Sequence, residues 1–350
     1  MLKATYQPYQ LHFKTPGGTS RGVLTQKMSY LIDVWDEQAP EVKGTGECSI
    51  LPKLSPDDHP ELEGKIQEVC NNINDFQEHY HKSLAGWPAL RFALETAFKD
   101  LDEGGKKILF PSSFTDGLEG IPINGLIWMG TPGQMQQQIE EKLAIGFQCL
   151  KLKIGAIHFD EEERVLKKIR DRFSSDDLEI RVDANGAFHP HDAPEVLEKL
   201  ARLKIHSIEQ PIAKNQWQEM AMLCRNSPIP VALDEELIGI RGKAHKEEMV
   251  HAICPHYIIL KPSLLGGFQA AMEWIETARH YQTGWWNTSA LESNIGLNAL
   301  AQWTYTLKNP LYQGLGTGQV FSDNIDIGME MSIRSGELWI LPSSNTHKSQ

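Results

Sequence analysis

Five charged residues recur at near-even spacing through the middle of the chain: Lys153, Asp183, Glu209, Asp234 and Lys261, separated by 30, 26, 25 and 27 residues. Each ends a short apolar run. A single carboxylate in such a place is ordinarily a helix cap or a solvated loop residue. Five on successive strands of a closed barrel converge on one mouth instead. Three carboxylates gathered there repel one another, and no arginine cluster stands at the neighbouring strand ends. A hard divalent cation is therefore the expected neutraliser, and oxygen-only ligands favour Mg²⁺ or Mn²⁺ over Zn²⁺. Lys153 and Lys261, two strands to either side of Glu209, then face each other across that metal, an arrangement suited to acid–base chemistry.

Lys153 shares the run Leu150-Lys151-Leu152-Lys153-Ile154-Gly155 with a second lysine. Alternate side chains of a strand share a face, so both lysines point one way while Leu150, Leu152 and Ile154 point the other. Alone, this is an amphipathic edge strand with its lysines in water. As the second strand of a barrel, its apolar face meets the helical ring and its cationic face meets the interior. There Lys151 is expected to lower the pKa of Lys153 by like-charge repulsion.

The elements that must position these residues follow from the same spacing. After Gly117-Leu118-Glu119-Gly120, apolar runs ending in polar residues fall at 121–124, 149–153, 180–183, 207–209, 231–234, 257–261, 284–288 and 311–314. The segments between them carry helical patterns. Val165, Ile169 and Phe173 recur every four residues behind Glu161, Glu162 and Glu163, and Val196, Leu197, Leu200 and Leu203 form a stripe after an expected Asp192 N-cap with Glu195. Eight such units predict an α/β fold: a (β/α)7β TIM-like barrel over 119–318, with its active site at the C-terminal strand ends. The competing doubly wound open sheet ranks second, because no G-x-G-x-x-G follows the first strand and no P-loop lysine is present. Residues 1–118 read as an α+β capping domain. Its loop 15–22 carries one cation, Arg21, and is either an ordinary hairpin connection or a lid bringing Arg21 to a substrate. Residues 319–350 are expected to return onto the capping domain, fraying after 343.

Bulk properties narrow the function classes. A formal net charge of -12 and the lack of basic runs disfavour nucleic acid or an anionic membrane surface as partner. No stretch approaches the roughly 18 apolar residues of a membrane span, and no signal-peptide core opens the chain, so a cytoplasmic enzyme with a small-molecule partner is expected. Cys48, Cys70, Cys149, Cys224 and Cys254 lack C-x-x-C spacing and read as buried free thiols. His189-Pro190-His191-Asp192 reads as loop and cap, and Trp285-Trp286 as one ring inside the barrel and one against a helix.

Lys151-Leu152-Lys153, Val182-Asp183-Ala184-Asn185-Gly186, Ile208-Glu209-Gln210-Pro211, Leu233-Asp234-Glu235 and Leu260-Lys261-Pro262 together resemble the muconate-lactonizing branch of the enolase superfamily. A lysine base beside bound Mg²⁺ that stabilises an ene-diolate is the known pattern of that superfamily. Gly46-Glu47-Cys48-Ser49 with Pro52, Thr288-Ser289-Ala290-Leu291-Glu292-Ser293 and Gly314-Leu315-Gly316-Thr317-Gly318 are most similar to the o-succinylbenzoate synthase family within it. That resemblance implies a Mg²⁺-dependent syn dehydration of a cyclohexadiene carboxylate in menaquinone biosynthesis. It assigns Lys153 as base and then acid, Lys261 as cationic stabiliser and Lys151 as the neighbour tuning Lys153. Asp183, Glu209 and Asp234 become metal ligands, supported by Asn185 and Glu235. Substrate contacts are expected from Thr288, where many relatives have serine, and from Ser289, Gly314, Gly316 and Arg21.

The chemistry explains the cost of omitting any of the five. A positioned base supplies about 10²–10⁴-fold, and the dianionic intermediate needs several kcal/mol more from a cation. The same residues also suit racemisation of an N-succinylamino acid, the runner-up. Dipeptide epimerisation is disfavoured because Gly316-Thr317-Gly318 supplies no carboxylate for an ammonium. A non-catalytic barrel should have lost a ligand or lysine, and none is missing.

Overall fold

The computed structural model describes residues 1–19, 22–155 and 158–342, so Arg21 and 343–350 lie outside the described residues. Strands β1 (Leu2–Thr19), β2 (Gly22–Asp36) and β3 (Gly44–Ser49) form an antiparallel sheet in that order. The stretch expected as a loop is paired ribbon: Gly17, Gly18 and Thr19 face Leu24, Val23 and Gly22 after a register shift beyond His12. Helices α1 (Leu62–Asn71), α2 (Ile73–Gln77), α3 (Tyr80–Ser83) and α4 (Pro88–Asp102) follow. They bury Ile66, Val69, Leu90 and Ala93 against Ile32, Val34 and Cys48. Sheet and helix approach closely enough that a Cβ on Gly46 would lie 1.8 Å from the Ala93 carbonyl oxygen, which leaves glycine as the residue that fits.

The second unit alternates as the spacing predicts. In order come β4 (Ile121–Pro122), β5 (Gly125–Ile127), α5 (Pro132–Ile145), β6 (Cys149–Lys153), α6 (Phe159–Arg172) and β7 (Glu179–Asp183). Then come α7 (Ala193–Arg202), β8 (Ser207–Glu209), α8 (Trp217–Asn226), β9 (Val231–Leu233), α9 (Lys243–Ile253) and β10 (Tyr257–Leu260). The unit continues with α10 (Pro262–Leu265), α11 (Gly267–His280), β11 (Gly284–Asn287) and α12 (Asn294–Thr306). Strands β5 to β11 form one parallel sheet in sequence order. Its outward residues, Leu150, Leu152, Ile180, Val182 and Ile208 among them, merge with the helices' apolar stripes in one core.

Five expectations shift in detail. The first barrel strand begins at Gly125, because Ile121–Pro122 pairs antiparallel with a C-terminal strand. The expected eighth strand at 311–314 is reduced to bridges at Gln313 and Gly314, which still join the two sheet edges. Gln313 N donates to the Pro122 carbonyl (2.9 Å) and Gly314 N to that of Asn287 (2.7 Å), while Asn124 N donates to Gln313 O (3.0 Å) and Ser289 N to Gly314 O (2.9 Å). The C-terminal stretch divides. Phe321 bridges Phe13 on β1, whereas β12 (Met329–Arg334) and β13 (Glu337–Pro342) form a hairpin on β4. This hairpin buries Leu338 and Ile340 in the barrel core, not in the capping domain, because β4 offers an open edge there. At α7, Asp192 adopts helical backbone and makes no side-chain cap, so the expected capping box does not form. Cys254 is exposed, unlike the other four thiols.

Candidate active site

The ring of charge follows from strand register. Lys153 pairs with Asp183 and Asp183 with Glu209 across β6, β7 and β8. Asp234 and Lys261 come one residue after β9 and β10. Parallel strands of matched register bring those ends to one level, so all five side chains open on the same mouth. All are buried, from 0% exposure at Asp183 to 9% at Lys153.

The lysines and carboxylates engage one another directly. Lys151 Nζ lies 2.9 Å from Asp183 Oδ2 and donates to Glu209 Oε1 at 2.7 Å. Lys153 Nζ donates to Asp183 Oδ2 (2.6 Å) and to Asn185 Oδ1 (2.7 Å), and Lys261 Nζ to Asp234 Oδ2. Two lysines thus lean on one Asp183 oxygen. Burial acts to raise the pKa of Asp183, but Lys151, Lys153 and Lys261 together hold it well below the usual carboxylate range. Burial would lower Lys151 and Lys261; facing carboxylates outweigh it and raise both, Asp183 and Glu209 at Lys151, Asp234 and Glu209 at Lys261. Glu209 is pushed up to about 8 by burial first and then by Asp183, with Lys151 opposing. The middle carboxylate of three is the one that resists ionisation when no further cation is added.

Whether these residues suit a metal rests on the donors themselves. Glu209 Oε2 is buried and makes no well-directed hydrogen bond, although Lys151 Nζ is 2.6 Å away. Three carboxylates on consecutive strand ends are hard oxygen donors of the kind Mg²⁺ takes. Among the described residues no three His, Cys, Asp or Glu side chains sit close enough to share an ion as they stand. Lysine ammoniums occupy the carboxylate oxygens instead. By donor chemistry the set fits a hard divalent cation.

Asn185 and Glu235, the two residues expected as supports, lie beside the ring. Asn185, in left-handed backbone at φ 46°, touches Lys153 and donates through Nδ2 to Glu235 Oε1 at 2.9 Å. Gln210 is a third, which the sequence reading passed over. Its Oε1 accepts from the backbone N–H of Asp234 (3.1 Å) and Glu236 (3.3 Å), and its Nε2 donates to Glu236 Oε2 (3.2 Å). Its only signal in the sequence is its place directly after Glu209.

Above the ring lies a cavity of about 330 Å³, lined by Lys151, Lys153 and Lys261 below and by 22–26 and 51–54 of the capping domain above. Thr288, Ser289, Gly314 and Gly316 line it. A Cβ on Gly314 would come within 2.5 Å of Thr288 Oγ1, so glycine lets the two barrel edges meet beside the cavity. Thr288 Oγ1 and Asn124 Oδ1 are buried on that wall with no protein partner. Asn124 was not singled out as a contact; it ends the first apolar run of the barrel repeat. The His189–His191 stretch stays outside: His191 hydrogen-bonds its neighbour Asp192 in an exposed position. Trp286 packs inside the barrel over Arg181, 4.0 Å from its guanidinium carbon, and Trp285 joins the helical core.

The enolase C-terminal domain-like family model matches residues 134–342. An o-succinylbenzoate synthase from Desulfotalea psychrophila is 47% identical, with 93% of this chain and 95% of that protein aligned. The crystal structure of MenC from Desulfotalea psychrophila superposes with a TM-score of 0.84 at 43% identity, covering 97% of this chain and 99% of that one. An N-succinylamino acid racemase from Amycolatopsis is more distant, at 26% identity over 58% of this chain and 54% of its own.

Proposed function

Because the chain belongs to the enolase C-terminal domain-like family, we infer that it is a lyase, the o-succinylbenzoate synthase of menaquinone biosynthesis. It dehydrates 2-succinyl-6-hydroxy-2,4-cyclohexadiene-1-carboxylate to 2-succinylbenzoate. The observation that carries the reading is the ring of Lys153, Asp183, Glu209, Asp234 and Lys261 at one mouth under the capping domain, in a chain 47% identical to a protein of that name.

The reaction removes the proton α to the ring carboxylate and then hydroxide from the adjacent carbon, on the same face, leaving an aromatic ring. Lys153 takes the proton as a neutral amine and returns it to the departing hydroxyl, so one side chain serves both halves of a syn elimination. Lys151, pinned between Asp183 and Glu209, stays an ammonium beside it, held charged by those two carboxylates. Lys261 presents its cation to the other side of the ring, against the charge that develops there. Asp183, Glu209 and Asp234 would hold Mg²⁺, which enzymes of this superfamily generally use and which supplies Lewis-acid stabilisation of the carboxylate as it gains enolate character. The capping segments 22–26 and 51–54 close over the substrate and keep water from the reacting carbons.

The purified protein with Mg²⁺ and the cyclohexadiene precursor should show the rise in ultraviolet absorbance that accompanies aromatisation. No Mg²⁺-dependent rise would sink the assignment. The cavity also holds both lysines needed for racemisation of an N-succinylamino acid, a second reading that a chiral assay on such a substrate addresses. No described helix is long and apolar enough to cross a membrane; a cytoplasmic setting agrees with a small polar substrate.

A further inference from the structure

A buried polar chain outside the catalytic ring ties the capping domain to the barrel loops that wall the cavity. At its head is Lys27 on β2, 2% exposed, whose Nζ donates to the Leu291 carbonyl at 2.6 Å and to the Ser49 hydroxyl. Glu47 on β3 accepts from Ser29 Oγ (2.7 Å), Ser293 N (2.9 Å), Ser293 Oγ (2.6 Å) and Gly296 N (3.0 Å), capping α12 from across the domain boundary. Glu292 accepts from Ser263 Oγ and from Ser289 Oγ, and Ser289 Oγ accepts from Thr317 Oγ1 at 2.7 Å. Together these bonds join β2 and β3 to α10, to the turn between β11 and α12, and to Thr317.

Leu291 is where this chain meets the cavity. Its backbone is left-handed, at φ 63°, a conformation a bulky side chain adopts only when its surroundings impose it. Its side chain is 7% exposed, lines the cavity, and packs with Leu24, Leu51 and Leu54 of the capping domain. The carbonyl of that strained residue is the one the Lys27 ammonium holds. Nothing in the dehydration step needs Lys27, which does not line the cavity. A buried lysine is costly to retain unless its charge and hydrogen bonds are used.

We propose that Lys27 is a positioning residue for substrate binding: by holding the Leu291 carbonyl it keeps 289–293 in its left-handed turn and sets the Leu291 side chain as a wall of the substrate cavity. The proposal rests on the assignment above, because the ligand it concerns is the succinyl-ring acid.

The test compares Lys27→Met, Lys27→Arg, Leu291→Asn and the Lys27→Met/Leu291→Asn double variant. Asparagine tolerates the left-handed backbone but removes the apolar wall. Kd for 2-succinylbenzoate is measured by calorimetry, and kcat and KM by the absorbance assay. Lys27→Met is expected to raise Kd and KM about tenfold while kcat changes less than about threefold, Lys27→Arg to recover most of the loss, and Leu291→Asn to raise Kd similarly. The double variant should bind no worse than Leu291→Asn alone by more than about twofold, because the lysine acts through that side chain. A lowered Tm with unchanged Kd and KM would make Lys27 a structural residue and overturn the proposal, as would full additivity. Should Lys27→Met not fold, an unchanged Kd in Leu291→Asn overturns it equally. Wild-type protein that neither turns over the precursor nor binds 2-succinylbenzoate would instead overturn the functional assignment.

Discussion

At the scale of single residues, the site sets three lysines against three acidic side chains, and the proposed function gives each a separable task. Lys153→Ala should lower kcat by at least about 10²-fold, the contribution of a positioned base; substantial residual rate in the absorbance assay would mean that another group takes the proton. Asn185 contacts Lys153 and Glu235 together, so Asn185→Ala should cost about 10–100-fold in kcat, the usual effect of removing a partner of a functional group. Wild-type kcat in that variant would show that Lys153 needs no such support. Adding Mg²⁺ to metal-stripped protein should raise Tm, by the equivalent of about 2.7 kcal/mol at a hundredfold excess over Kd. Asp234→Asn should lose most of that shift, and an unaltered shift would place the ion elsewhere.

At the scale of elements, a buried and a half-buried carboxylate cap helices of the capping domain and barrel. Asp57 accepts from Ala89 N and Leu90 N at the start of α4, and Glu95 from Phe268 N and Gln269 N at the start of α11. Burial lifts each to about 7, against the backbone bonds that favour its charge. A carboxyl whose folded pKa lies above its unfolded value binds its proton more tightly in the native state. The resulting stability is complete below about pH 4 and is lost as pH rises through about 7. For Asp57 the span amounts to up to about 4 kcal/mol. Urea unfolding at intervals from about pH 4 to 8 should show stability falling toward neutrality, and Asp57→Asn should flatten that slope. An equal slope in the variant would assign the dependence to other groups. The element boundaries were legible where a helix or strand carries its own periodicity, as in α6, whose Val165 and Ile169 are buried as spaced. They were not legible at 17–19, where turn-forming residues lie in paired ribbon. At 121–124 they were set by competition between two partners, β13 and Gln313.

At the scale of the whole molecule, the cavity exists because two units share it. Leu11, Phe13 and Leu51 of the capping domain form one apolar cluster with Leu264, Ala290, Leu291 and Phe321 of the rest, so the cover is held by burial as well as by the Lys27 and Glu47 bonds. The packing also predicts thiol chemistry. Four cysteines are buried and Cys254 is exposed, so a disulfide reagent should titrate one thiol quickly in native protein and the rest only after denaturant. Rapid reaction of a second thiol would indicate an opening of the native packing.

The sequence by itself determined the ring of charge, because a parallel β/α repeat returns to the same end of the barrel at every turn, so strand-end residues spaced by the repeat converge wherever the loops run. Lys153, Asp183, Glu209, Asp234 and Lys261 were readable on that ground, and Lys151 from the strand face it shares with Lys153, whereas Asn185 and Glu235 came from the family resemblance alone. Only the tertiary structure decided what pairs with what across long separations. The Lys27 bond to Leu291 spans 264 positions, Gln210 braces Asp234 from the neighbouring strand, and the barrel closes through two bridging residues in place of a full eighth strand. None of these has a local periodicity to announce it. Each follows from which buried donor finds which acceptor once the two units have docked.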